Sequence, residues 1–412
     1  MNFNKSHKNL TEILNLPELK VISYQQFSDI GIFLKTQSIS DEKICPRCGT
    51  PSHRLHQNHR HVVKDLPWGN SPVFLEINRR QFKCKKCKKP FSETFSFIGL
   101  RRNYTNRLAH QTVKEVLNSN ISAVAKKGIV TTEEIERMLK DAASKFVREP
   151  VGLKRLGIDE IALVKGKGSY CAVLIDLDKS ELIAILPGRT QSDIKSTLLK
   201  WGESILNQIE EVSIDLWKSY KSLIIELIPN AQVVADRFHV MKQINQELDR
   251  ERKTENYQLK SSLKSDNKSQ KAKIKQKLNC LKKSKYALIK NESDLTETQK
   301  NKLNEVQNVF PNLKKMHQLK EEIRDIFERG NNSVATLLKL TEWLLSAQQF
   351  FPKSYKTIIR WFAEIIAYFD RRTTNGIVEG INNKIKLIKR SGYGFKNFEN
   401  FKMRCLLNWH FI

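Results

Sequence analysis

Two aspartates stand inside runs that otherwise read as buried β-strands: Asp159 in LGIDEIAL and Asp215 at the end of EEVSID. A carboxylate removed from water is costly unless it is paired or bound to a metal. Any fold that keeps these strands must therefore bring partners to the acids. The runs GLKRLGIDEIALVK, SYCAVLIDLD and ELIAILPGR are short and β-rich, joined by turn residues at Gly166 to Gly168 and at Asp178 to Ser180. An amphipathic helix, QSDIKSTLLKWGESILNQI, comes next. It is followed by EEVSID, a helix from about Trp217 to Ile228, and the strand AQVVADRFHV.

Three strands followed by helix, strand, helix and strand is the ribonuclease-H-like order. The first three form a meander, and later strands join in parallel through helical crossovers. Adjacent strand residues point to opposite faces, so only one of Asp159 and Glu160 can face a site. We assign Asp159 to it and expect Glu160 at a strand edge or in a salt bridge. Asp215 sits at the carboxyl end of its strand, just before WKSY. Asp236, in VVADRFHV beside Arg237 and His239, is its rival, either as metal ligand or as a second partner. Asp176 and Asp178 fall in a hairpin turn, where aspartate is a turn former.

A third acid lies far downstream. Glu379 sits in TTNGIVEGINNKIKLIKR between Gly376 and Gly380, and each glycine costs a helix about 1 kcal/mol relative to alanine. Two of them, four residues apart, suggest close approach to a sheet or to DNA. Asn375 and Asn383 are one turn either side of Glu379. Lys384, Lys386, Lys389 and Arg390 then supply a phosphate-binding end. Three carboxylates can hold two hard cations about 3.5–4 Å apart, Mg²⁺ or Mn²⁺, which serve attack and departure at one phosphorus.

The rest of the chain suits a polyanionic partner. Its 72 lysines and arginines against 44 acids leave a net charge of +28, which attracts phosphate backbones in a salt-dependent way. No apolar run approaches the ~18 residues of a membrane span. The start MNFNKSHKNL lacks an apolar signal core, so a cytoplasmic, nucleoid-associated protein is expected, with no membrane partner. Cys45, Cys48, Cys84 and Cys87 form two C-x-x-C pairs, the spacing of one structural zinc. His53, His56, His59 and His61 between them could replace a thiolate, but loop or phosphate-facing roles fit them better. From Tyr104 to about Ser144 the periodicity is that of a helix-turn-helix, with Gly128 as the turn and Thr131 or Thr132 as a cap. The second of its helices is basic through Lys126 and Lys127, but the candidate recognition helix opens on Glu133 and Glu134. Arg79 and Arg80 are further expected DNA contacts.

These segments, with GIDE, YCAVLIDL, PGR, VSIDLWKSY and VVADRFHV, resemble the ISL3-family insertion-sequence transposases nearly end to end. The resemblance implies a multidomain α/β protein with an N-terminal lead-in (1–40), a zinc-finger domain (41–98) and a helix-turn-helix (99–150). A ribonuclease-H-like core follows (151–245), then a Lys-rich helical insertion (246–355) and the rest of the core with the catalytic glutamate (356–412). It implies a DDE enzyme with Asp159, Asp215 and Glu379 as the triad. Such an enzyme binds terminal inverted repeats, cuts the element's ends and joins them to target DNA as a homodimer or higher oligomer. The alternatives are a structure-specific nuclease or resolvase, and a non-enzymatic zinc-containing DNA-binding regulator.

Overall fold

The computed structural model describes residues 3–146, 149–162, 170–263, 268–330, 333–372, 376–392, 395 and 397–411. The turn glycines 166 and 168, and Asn375, lie outside these. The chain divides into two compact units, Met1–Arg148 with Ile388–Ile412, and Glu149–Leu387. None of the described helices is long and apolar enough to cross a membrane.

The first unit is built on a five-stranded sheet. Its strands run Leu19–Phe27, Gly31–Ser38, Ser71–Lys83 and Leu55–Trp68, and Pro90–Ser92 extends the outer end of Ser71–Lys83. Leu19, Leu34, Val63, Leu75 and Ile77 fill its core. Two of these strands come from residues 1–40, so the lead-in is part of the same sheet as the cysteine-bearing segment. Three helices follow: Asn106–Asn118, Ile121–Ala125 and Thr132–Ala143. Thr131 caps the last in a capping box with Glu134.

The final helix, Phe398–His410, packs with these three through Leu407, and Arg404 donates to the Val116 carbonyl at 2.8 Å. Residues 388–412 thus group with the first unit, not with the core to which the resemblance assigns all of 356–412. Apolar periodicity identifies a packed helix but does not say which core receives it.

In the second unit the sheet order is Glu181–Ile185, Tyr170–Asp176, Arg155–Ala162, Glu211–Ile214, Gln232–Ala235. The first two pairings are antiparallel and the last two parallel. Helices Gln191–Trp201 and Lys218–Leu227 lie between the later strands in sequence. A long helix, Arg237–Ser262, starts directly after the last strand and runs on into the Lys-rich region, so there is no break at residue 245. The insertion is less solvated than its lysine content suggests. Leu303, Val306, Leu313, Leu319, Ile323 and Phe327 are buried in one cluster with the sheet's Leu156, Val212 and Val234. Trp343, Phe351 and Trp361 belong to that core as well.

Candidate active site

Parallel register assembles the acids. Ile158 pairs with Ile214, and Ile214 pairs with Ala235. The residues one step further along these three neighbouring strands are Asp159, Asp215 and Asp236, so the aspartates emerge side by side. Gly157, two residues before the first of them, has little room for a side chain. A Cβ there would come 2.9 Å from Leu177 Cδ2 and 3.5 Å from Val378 Cγ2 of the helix Gly376–Ser391.

Asp159 has partners of its own, while Asp215 and Asp236 share one. Asn382 Nδ2 donates to Asp159 Oδ2, and the Glu160 N–H donates to its Oδ1 at 2.7 Å. Asp236 caps the long helix: its Oδ1 accepts from Phe238 N at 2.6 Å. One turn in, His239 Nδ1 lies 2.8 Å from Asp215 Oδ1 and 2.8 Å from Asp236 Oδ2. Asp159, Asp215 and His239 each offer a ligand atom, and these all lie within 4.8 Å of one another.

The electrostatics follow from the crowding. Burial, and then the Asp215 charge, push the Asp159 carboxyl up to about 6. Burial opposes a charged imidazole at His239, but hydrogen bonds and charges from Asp215 and Asp236 outweigh it and raise the ring to about 10. Glu160 is occupied elsewhere: it pairs with Arg189 at 2.6 Å and accepts from Tyr220 Oη at 2.9 Å.

Glu379 lies in the first turn of its helix, exposed, and stands outside the Asp159–Asp215–His239 trio. It lines a cleft of about 590 Å³ together with Asp159, Asp236, His239 and Lys386. The insertion contributes Asn291, Arg324 and Glu328 to the same cleft. Asn382, three residues beyond Glu379, is the residue the sequence pattern missed, since Asn383 is exposed instead. Its spacing of one turn from the glutamate was the available signal. Its Oδ1 is buried and has no hydrogen-bond partner among the described residues.

Of the other expected positions, Lys384, Lys386 and Arg390 are exposed and Lys389 is partly so. Lys126 is exposed, while Lys127 pairs with Glu115 at 2.8 Å. Arg80 is held by buried Glu93 at 2.7 Å, and Arg79 Nε donates to the Glu93 carbonyl at 2.9 Å. Cys45, Cys48, Cys84 and Cys87 converge, their sulfurs within 4.8 Å of one another. Cys45 Sγ lies 3.7 Å from Cys87 Sγ, and Cys48 Sγ 3.5 Å from Cys84 Sγ. Four thiols supply a tetrahedral zinc set without help from the neighbouring histidines.

Residues 156–405 match the ISL3 family model described as transposase. Residues 41–87 match the zinc-finger of transposase IS204/IS1001/IS1096/IS1165. The chain is 27% identical over 382 residues to the transposase for insertion sequence element IS1001 of Bordetella parapertussis, covering 91% of this chain and 90% of that protein. It is 25% identical over 386 residues to the transposase for insertion sequence element IS1557 of Mycobacterium tuberculosis, covering 86% and 82%.

Proposed function

The chain belongs to the ISL3 family of transposases, and from that premise we propose that it cuts and joins DNA at the ends of an insertion sequence. In this reading Asp159, Asp215 and Glu379 are the carboxylates that hold two Mg²⁺ or Mn²⁺ ions. The observation that carries it is the strand register, which sets Asp159 beside Asp215, together with the cleft that Asp159 and Glu379 both line. The strand order, a meander extended by two parallel strands, supports a ribonuclease-H-like core.

The donor set suits hard cations, which take oxygen ligands. The unpartnered buried oxygen of Asn382 beside Asp159 fits a site completed by a cation or its water. Bound divalent ions would stabilise the attacking and leaving oxygens on one phosphorus. Asn382 fixes the rotamer of Asp159, and Asp236 orients His239 while capping its helix. Both oxygens of Asp236 are engaged in that work, whereas among the described residues the Asp215 carboxylate meets only the imidazole, so Asp215 is the second ligand in this proposal. Lys386 and Arg324 are placed in the cleft to meet phosphates. Lys384, Lys389 and Arg390 are further phosphate contacts in this proposal. Cys45, Cys48, Cys84 and Cys87 hold one structural zinc. The partner is double-stranded DNA, both element ends and target, and joining two ends calls for a dimer or larger assembly.

The test is incubation of the purified chain with Mg²⁺ and the DNA that flanks its own coding sequence, mapping nicks and joints. We expect nicks at the element ends followed by joining of the freed 3′-hydroxyl to a second duplex. Cutting without joining would indicate a nuclease or resolvase. Binding without cutting would leave only a zinc-containing regulator.

A further inference from the structure

A helix-turn-helix reads bases from the start of its second helix. In this chain that helix, Thr132–Ala143, begins with Glu133 and Glu134. Glu134 closes the capping box with Thr131 and also pairs with Lys64 at 2.8 Å. An acidic first turn committed to its own cap is poorly suited to approach a phosphate backbone.

The hairpin of Leu55–Trp68 and Ser71–Lys83 has the opposite character. Leu55–Trp68 is the edge strand of its sheet, and every residue from Leu55 to Arg60 is exposed. Phe82 in this half of the ribbon is buried with Cys45, Cys84 and Phe91, while Asn58, Arg60 and Asn78 stay exposed. From Pro51 to Lys64 the chain has no acidic residue, while it carries Arg54, Arg60 and four histidines. Cross-strand partners share a face. Asn58 opposite Arg80 and Arg60 opposite Asn78 therefore lie on one side, and Gln57 opposite Gln81 and His59 opposite Arg79 on the other.

On the first of these faces Arg80 is held by Glu93, which leaves Asn58, Arg60 and Asn78 exposed. Arg60 pairs with Glu76 at 2.6 Å, but its side chain is 69% exposed. A surface ion pair of that kind contributes little and is readily exchanged. Amide side chains match the adenine edge and a guanidinium the guanine edge, and the major groove, about 12 Å wide, admits a two-stranded ribbon.

Resting on the reading of this chain as an end-binding transposase, we infer that this ribbon enters the DNA major groove, and that Asn58, Arg60 and Asn78 contact base edges there. The helix-turn-helix then supports binding without supplying the sequence readout.

The test uses the full chain and two duplexes of equal length, one copied from the DNA flanking its coding sequence and one shuffled. Affinities are measured by fluorescence anisotropy over a salt series, with zinc content and melting temperature confirming each variant's fold. The triple variant N58A/R60A/N78A is expected to lose about tenfold or more of the preference for the native duplex. Its salt slope should fall by only about one phosphate contact. Arg60→Lys keeps the charge without the planar fork, so it should keep the slope and still lose discrimination. The opposite-face variant Q57A/H59A should keep the preference. If the triple variant retains the preference, or Q57A/H59A loses it instead, the ribbon assignment is overturned. If the unaltered chain does not distinguish the two duplexes, end recognition fails, and the ribbon's role fails with it.

Discussion

Asp215 and Asp236 end neighbouring strands in register, share one imidazole, and differ in what their remaining oxygens do. Asp236 is bound into the cap of the long helix, and Asp215 is not. We therefore expect Asp215→Asn to lose Mg²⁺-dependent cleavage below detection while DNA binding stays within a factor of a few. Asp236→Asn keeps a capping oxygen and should lower cleavage by about 10–100-fold, the usual effect of a residue that orients a ligand. Cleavage assays on the two purified variants decide it, and the reverse ranking would transfer the ligand role to Asp236. The acids themselves were legible in the sequence because a charge inside an apolar run needs a reason. Their alignment was not, because it depends on strand pairing across more than fifty positions, which periodicity cannot reveal. Asn382 escaped for the same reason: its neighbour Asn383 has the same chemistry, and only the packing of Val378, Ile381 and Ile385 fixes which one turns inward.

Among the elements, the helix that carries Glu379 narrows one expectation. Of the two partners that Gly376 and Gly380 suggest, a sheet is not one, because a Cβ at either would meet nothing within 4 Å, and that open space leaves room for DNA. The close approach is at Gly157 instead, on the strand beneath. The same substitution should therefore have opposite signs at two positions. Gly380→Ala should stabilise by about 1 kcal/mol, the helix propensity difference. Gly157→Ala should destabilise by about 1–3 kcal/mol through overpacking against Leu177. Urea denaturation of both variants measures this, and a destabilised Gly380→Ala would mean that its face packs against the protein. The meander, the parallel additions, the cysteine pairs and the Thr131 cap could all be read from pattern and spacing. The buried side of the insertion could not, because dense lysines between Leu313, Leu319 and Ile323 mask an apolar stripe that still buries.

For the whole molecule, a charge of +28 describes a surface suited to DNA but says nothing of chemistry. In the proposed function, three acids, from residues 159, 215 and 379, close around shared cations. The register sets Asp159 beside Asp215, and Asp159 lines the cleft that the helix bearing Glu379 also lines. The most direct measurement replaces Mg²⁺ with Fe²⁺ in the protein–DNA complex, adds ascorbate and peroxide, and maps where hydroxyl radicals cut the polypeptide beside the bound ion. We predict cuts next to Asp159, Asp215 and Glu379, suppressed together by Mg²⁺ and absent in Asp159→Asn. Cuts confined to other segments, or a pattern that Asp159→Asn leaves unchanged, would contradict the account.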